Sequence, residues 1–136
     1  MKEVEMVTGE YLRNIIETWR KGIPNRDYDD TVGFWAEDGT FSVYEGEGNP
    51  KGWGSKITKV GPEGARFLFK EFHDHCETFV YDVKNVTIDA ENSRAAWIVV
   101  FEGERGGEKI SMENSFMIEL NDRGEIQDAF IWTGNP

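Results

Sequence analysis

One amide side chain occupies a position where the sequence pattern calls for an apolar residue. Between Ile110 and Leu120 every second residue is apolar except Asn114, and this period of two is typical of a strand with one buried face. A buried amide must find hydrogen-bond partners, or it destabilises the fold by about 1–3 kcal/mol. Either the fold or a bound ligand therefore supplies partners for Asn114, which makes it a candidate site residue.

Histidine is the usual general acid or base near neutral pH, and this chain has two, His73 and His75. They lie two residues apart on a predicted helix, so their side chains point about 200° apart. They cannot coordinate one metal ion together unless the helix has already ended. His73 follows Phe69 by four residues and can reach the mouth of a pocket. We predict His73 as a catalytic residue, and the alternative is a helix-end histidine that favours the helix dipole.

Composition limits the classes of function. The chain has 136 residues, which fits one domain spanning residues 1–136, and its net charge of −11 argues against nucleic acid and anionic membrane surfaces. Cys76 is the single cysteine, so no intrachain disulfide can form, and the start of the sequence has no apolar signal segment. We expect a cytoplasmic protein. No metal-ligand cluster or nucleotide fingerprint stands out, so we predict no metal and no cofactor.

The periodicity predicts helices first and strands later. A helical stripe runs from Thr8 to Gly22, a second helix places Tyr28, Val32 and Trp35 on one face, and a third begins at Gly61-Pro62. A short strand covers 40–45, and 45–60 is predicted to be a long loop that contains Trp53. Four strands follow at 78–89, 93–104, 108–120 and 125–133, and their short connections predict antiparallel neighbours. The expected class is α+β, with a strongly curved antiparallel sheet wrapped around three helices.

Four segments of the chain resemble the nuclear transport factor 2-like superfamily, a cone-shaped, cystatin-like α+β fold. They are FWAEDGTFSVYEG at 34–46, GPEGARFLFKEF at 61–72, DVKNVTID at 82–89 and SFMIELNDRGEIQDAFIW at 115–132. The superfamily includes ketosteroid isomerase, scytalone dehydratase, limonene epoxide hydrolase and the SnoaL-like polyketide cyclases. The resemblance covers nearly the whole chain and implies the fold rather than one chemistry.

Position by position, the resemblance implies a site that differs from that of a steroid isomerase. Val43 stands where ketosteroid isomerase-like proteins have their proton-abstracting aspartate, and Trp19 stands near their tyrosine on the first helix. Asn114 matches the acid that helps to stabilise an enolate, and Asp82 matches a histidine of scytalone dehydratase-like proteins. We therefore predict Asp82 as a base that acts with Asn114. The alternative is that Asp82 faces water at the start of a strand.

The resemblance also implies an internal pocket lined by the concave face of the sheet. The predicted catalytic residues are Asp82, Asn114 and His73, and the predicted ligand contacts are Tyr11, Trp19, Phe41, Val43, Trp53, Phe69, Trp97, Met112 and Phe116. On buried stripes such aromatic residues can equally be plain core.

Two functions fit these residues. One is a cofactor-free dehydratase, isomerase or cyclase that acts on a small hydrophobic cyclic or polyketide-like molecule. The other is a non-catalytic module that binds a ligand or forms a dimer. If Phe130 and Trp132 lie on the convex side of the sheet, they provide a contact for a homodimer.

Overall fold

The described residues form three helices and six strands. The structure, a computed structural model, describes residues 7–44, 56–75 and 77–133. The elements are α1 (Gly9–Gly22), α2 (Tyr28–Val32), β1 (Trp35–Tyr44), β2 (Lys56–Val60), α3 (Gly61–His75), β3 (Glu77–Asp89), a 3-10 turn (Ala90–Asn92), β4 (Arg94–Arg105), β5 (Glu108–Leu120) and β6 (Ile126–Thr133). None of the described helices is both long enough and apolar enough to cross a membrane.

The six strands form one sheet in the order β2-β1-β6-β5-β4-β3. Strands β3 to β6 are joined by short connections and pair with each other antiparallel, as predicted. β1 pairs with β6 in parallel, which makes the sheet mixed rather than wholly antiparallel. Because the packed faces of α1 and α3 lie against one side of the sheet, the predicted α+β class is confirmed.

The apolar stripe of α1 explains why this helix forms and where it packs. Leu12, Ile15, Ile16 and Trp19 are all buried and recur at helical spacing. The Thr8 side chain accepts a hydrogen bond from the backbone N–H of Tyr11 at 3.0 Å and so caps the first turn. The helix therefore begins and ends where the sequence predicts.

Alternation along β5 fixes which side chains point inward. Met112, Asn114, Phe116 and Ile118 are buried, and the residues between them are exposed or half-buried. Phe116 stands opposite Trp97 of β4 and Ile131 of β6, and paired residues share a face of the sheet. The same rule places the side chain of Tyr44, which pairs with Trp132, on the outward face.

The second helix and the loop after β1 were predicted with the wrong bounds. Trp35 begins β1 instead of ending a helix, because it pairs with Ile126 of β6, and the Ile126 N–H donates to the Phe34 carbonyl at 2.7 Å. The periodicity around Trp35 cannot reveal a strand partner so far along the chain. Residues 56–60, predicted as loop, form the edge strand β2, whose Val60 pairs with Thr40. The rest of that predicted loop, 45–55, lies outside the described residues.

The faces of β6 also differ in part from the prediction. Phe130 and Trp132 lie on the outward face, but Ile126, which strict alternation along 125–133 would place on that face too, is fully buried. The pairing of β5 with β6 shifts register between Glu119 and Leu120. Such a shift interrupts the alternation, so Ile126 and Ala129 both point into the core.

Candidate functional site

A small cavity lies between α3 and the inward face of the sheet. Its volume is about 40 Å³, several times the roughly 10–15 Å³ that one water needs and well below the roughly 150 Å³ of an apolar cavity that holds benzene. A ligand with a ring therefore has to displace part of the wall. Five of the six strands, α3 and the residue after α1 contribute to the wall. The lining residues are Ile23, Phe41, Val43, Leu68, Phe69, Phe72, Tyr81, Phe101, Asn114, Phe116, Ile131 and Thr133.

Three of these twelve lining residues are polar, and none is charged. Asn114 is 5% exposed and stands between Val99 of β4 and Thr133 of β6 in the strand register. The Thr133 hydroxyl donates to the backbone oxygen of Tyr44 at 2.9 Å, so its own hydrogen is already used within the fold. The amide singled out by the sequence pattern therefore does lie in a cavity wall.

Tyr81 is the third polar lining residue, and the sequence analysis did not select it. It stands opposite Phe101 in the pairing of β3 with β4, and it packs against the cluster of Phe101 and Met112, as Phe72 does. The hydroxyl oxygen is buried and has no hydrogen-bond partner among the described residues. Burial raises the pKa of this phenol far above its ordinary value, so the hydroxyl stays protonated at any physiological pH.

Asp82 does not reach the cavity. Its side chain is exposed, and in the register it stands opposite Val100, on the face of the sheet opposite to that of Tyr81. Successive side chains of a strand point to opposite faces, so a match displaced by one residue exchanges inside for outside. The predicted pair of Asp82 with Asn114 in one pocket is therefore wrong, and the residue of β3 that reaches the cavity is its neighbour Tyr81.

His73 is buried, but it lies outside the cavity wall. It is 4% exposed, and its Nδ1 shares a hydrogen bond of 2.7 Å with the Tyr28 hydroxyl. Arg26 holds the same helix end, since it donates to the backbone oxygen of His73 at 2.8 Å and contacts the Asp74 carboxylate at 3.2 Å. Burial, with a smaller contribution from the Arg26 charge, lowers the pKa of His73 to about 4. The imidazole is thus neutral and structural here, and it does not act on the cavity as we predicted.

Two tryptophans predicted as ligand contacts, Trp19 and Trp97, lie behind the cavity wall. Trp19 stacks on Trp35 with ring centroids 5.1 Å apart, and its indole N–H donates to the Thr31 carbonyl at 3.1 Å. Trp97 stacks on Phe116 at 5.5 Å and meets Trp19 edge to face. These rings support Phe116 from behind, so they limit how large the cavity can be without lining it.

The other predicted contacts divide into two groups. Phe41, Val43, Phe69 and Phe116 line the cavity, and their binding role stays a prediction. Tyr11 does not line it, because its hydroxyl donates to the Gly124 carbonyl at 2.7 Å and ties α1 to the turn before β6. Met112 is buried against Phe101 in a separate cluster. Trp53 lies outside the described residues.

The remaining lining residues could have been found from the same patterns. Leu68 and Phe72 share the buried stripe of α3 with Phe69, and Phe101 shares its strand face with Val99. Ile23 follows α1, and the positions of Ile131 and Thr133 depended on which face of β6 points inward. In residues 7–44, 56–75 and 77–133, no group of three or more His, Cys, Asp and Glu side chains is placed to hold a metal ion.

Comparison of the sequence with protein-family models gives no match, and no curated protein sequence matches either. Solved structures do match. SalBIII, an epoxide hydrolase/cyclase-like enzyme of pyran ring formation in the polyether salinomycin, superposes with a TM-score of 0.70 at 14% identity, covering 95% of both chains. A candidate polyketide cyclase from Xanthomonas campestris pv. campestris gives 0.68 at 15% identity, covering 90% of both chains.

A third solved structure comes from Catenulispora acidiphila, a hypothetical protein with a ketosteroid isomerase-like fold in complex with trimethylamine. It superposes with a TM-score of 0.67 at 12% identity, covering 86% of this chain and 82% of that one. The resemblance stated from the sequence is confirmed at the level of fold, since the solved neighbours are a candidate polyketide cyclase, an epoxide hydrolase/cyclase-like enzyme and a protein with a ketosteroid isomerase-like fold. Identities this low show the fold alone.

Proposed function

We propose that this protein binds a small, neutral, hydrophobic molecule in the cavity under α3. One observation supports the proposal above all: nine of the twelve lining side chains are apolar, and the other three are uncharged. A charged ligand would lose its hydration in such a wall without gaining an ion pair, whereas an apolar molecule gains from leaving water. Concave, apolar walls with a few placed polar groups are typical of small-molecule sites.

The second candidate is the cofactor-free dehydratase, isomerase or cyclase. The names of the solved neighbours favour it, and two polar groups, Asn114 and Tyr81, belong to one wall. Both can donate hydrogen bonds to an oxygen on which negative charge develops. The described wall, however, offers no carboxylate or imidazole that could take up a proton. Binding is therefore the function that this geometry supports best.

Acetophenone and benzoate form a matched pair for testing the binding proposal, since they are similar in size and differ in charge. We expect acetophenone, at ten times its Kd, to raise the melting temperature of the wild type by several degrees, because a ligand that binds only the folded state stabilises it by about 1.4 kcal/mol there. Benzoate at the same concentration should leave the melting temperature unchanged. Differential scanning calorimetry measures both.

The matched control is a variant in which a lining residue is replaced by a larger one that fills the cavity. Val43→Phe directs a ring into the space beside Ile131, and we expect it to remain folded by circular dichroism and to lose the response to acetophenone. An equal response to acetophenone and benzoate, or an unchanged response in the filled variant, would contradict binding in this cavity.

We also propose that the outward face of β1 and β6 contacts a second copy of this chain. Trp132 is 41% exposed, and its ring centroid lies 5.3 Å from that of Tyr44 and 5.8 Å from that of Phe130. The three rings form a flat row on the side of the sheet away from the helices. A flat apolar face suits a symmetric contact with its own copy. We expect a dimer mass for the wild type and a monomer mass for Trp132→Asp in light scattering after size exclusion. A monomeric wild type at micromolar concentration would refute this.

A further inference from the structure

The hydroxyl of Tyr81 is a polar group for which the fold provides no partner. Its oxygen is buried, and no described residue lies within hydrogen-bond reach in the required geometry. The phenols of Tyr11 and Tyr28, by contrast, each have a partner at 2.7 Å, a carbonyl in one case and an imidazole nitrogen in the other. Buried polar atoms without partners are rare in native proteins and call for an explanation.

The position of Tyr81 suggests what that explanation is. Its side chain forms part of the cavity wall, and both Tyr81 of β3 and Phe72 of α3 pack against the cluster of Phe101 and Met112. Because Tyr81 belongs to this wall, a ligand held in the cavity lies against its side chain and can supply the partner that the described fold does not. The two clusters of the core, one around Trp19 and one around Phe101, both pack against this residue, which holds the ring in place.

We infer that Tyr81 donates its hydroxyl hydrogen to an acceptor oxygen of the ligand, and that the ligand is a neutral carbonyl compound such as a ketone, ester or lactone. This inference rests on the proposed binding function and names the class of ligand. A phenol delocalises an oxygen lone pair into its ring, so it is a better donor than acceptor. A hydrocarbon would leave the hydroxyl without a partner. A carboxylate or an ammonium ion would bring a charge into a wall that has none.

Asn114 is the second polar contact for such a ligand. Its side chain belongs to the same wall, and a primary amide has two N–H donors and a carbonyl acceptor. A carbonyl oxygen has two lone pairs and can accept from a phenol and an amide together. The Tyr81 hydroxyl thus requires an acceptor atom on the ligand, and the Asn114 amide can form a hydrogen bond with a further polar atom of the same molecule.

The test compares two ligands that differ in a single group. Acetophenone and ethylbenzene are close in shape, and acetophenone has a carbonyl where ethylbenzene has a methylene. Their Kd values are measured by titration followed by NMR for the wild type, Tyr81→Phe and Tyr44→Phe. Tyr44→Phe is the matched control, because it removes a phenol from the outward face and leaves the cavity wall unchanged.

We expect Tyr81→Phe to lower the preference for acetophenone over ethylbenzene about tenfold, the effect of one hydrogen bond, with the Kd of ethylbenzene little changed. Tyr44→Phe should keep the wild-type preference. Tyr81→Phe without ligand should melt at or above the wild-type temperature, because it removes a buried hydroxyl that has no partner.

Two results would overturn the inference in distinguishable ways. If both ligands bind and all three proteins show the same preference, Tyr81 does not contact the carbonyl, and the binding proposal survives alone. If neither ligand binds the wild type, the proposed function and this inference both fail. A Tyr81→Phe protein that melts well below the wild type would show that the hydroxyl has a structural partner, and this too would count against the inference.

Discussion

Replacing Trp19 with alanine is expected to lower the free energy of unfolding by about 3–5 kcal/mol, the range for removing a large aromatic residue from a packed core. Trp19 is 1% exposed and contacts Trp35, Trp97, Phe69 and Phe116, so one truncation removes four ring contacts. It also leaves the Thr31 carbonyl without its indole donor. Because domains of this size are stable by about 5–15 kcal/mol, the variant should unfold at much lower urea concentration.

An exposed aromatic residue provides the comparison. Phe67 is 39% exposed on α3, where its ring meets the Lys59 ammonium group at 4.8 Å. Phe67→Ala should cost about 1 kcal/mol or less, the scale of an exposed cation–π contact. Trp132 is less suitable because it lies in the proposed dimer face. Equal urea midpoints for Trp19→Ala and Phe67→Ala would show that the ring cluster does not hold the core together.

Acid is expected to destabilise this protein through His73. The pKa of His73 is about 4 in the folded state and about 6.5 in the unfolded chain, so the unfolded state binds the proton more tightly. The stabilisation from keeping this imidazole neutral is complete above about pH 6.5 and is lost as the pH falls toward 4. By pH 4 the loss reaches about 3 kcal/mol by linkage.

The variant His73→Asn isolates this effect. Asparagine places an amide near the position of Nδ1, where it can still meet the Tyr28 hydroxyl, but it does not titrate. Urea unfolding of both proteins between pH 7.5 and pH 4 should show the wild type losing about 3 kcal/mol more than the variant. Other titrating groups, such as Asp74, are common to both proteins and largely cancel in the difference. If the free energies of unfolding of the wild type and the variant fall in parallel as the pH is lowered, then His73 has an ordinary pKa.

Strands β3 to β6 could be predicted because each has a local pattern that can be recognised without knowledge of its partner strand. Alternation in β5 requires only the sequence from Ile110 to Leu120, and it placed Asn114 on the buried face. The start of β1 could not be found in this way. Trp35 is held in a strand by Ile126, a residue far away in the sequence, and a helix-like spacing of apolar residues gives no sign of such a partner.

The candidate site was harder to predict than the fold, because it depends on single-residue register. On β3 the resemblance pointed to Asp82, whereas Tyr81 lines the cavity, so an alignment error of one position made an exposed carboxylate the proposed base. The face shared by Tyr81 and Val83, which pair with the buried Phe101 and Val99, was a local sign that Tyr81 points inward. For His73 the spacing from Phe69 predicted reach to the pocket mouth, but Tyr28 and Arg26, which approach from other parts of the chain, bond this histidine within the fold.

The parallel pairing of β1 with β6 determines when this chain can complete its fold during synthesis. Thr40 and Asp128, joined by a side-chain hydrogen bond of 2.8 Å, are 88 residues apart, so the ribosome must make β3, β4 and β5 before β1 receives its second neighbour, β6. Until then the inner residues of β1, Phe41 and Val43, lack the strand that carries Ala129 and Ile131. Closing so distant a contact is slow compared with forming hairpins. The nascent chain is therefore exposed to aggregation, and to chaperones, through β1 in particular.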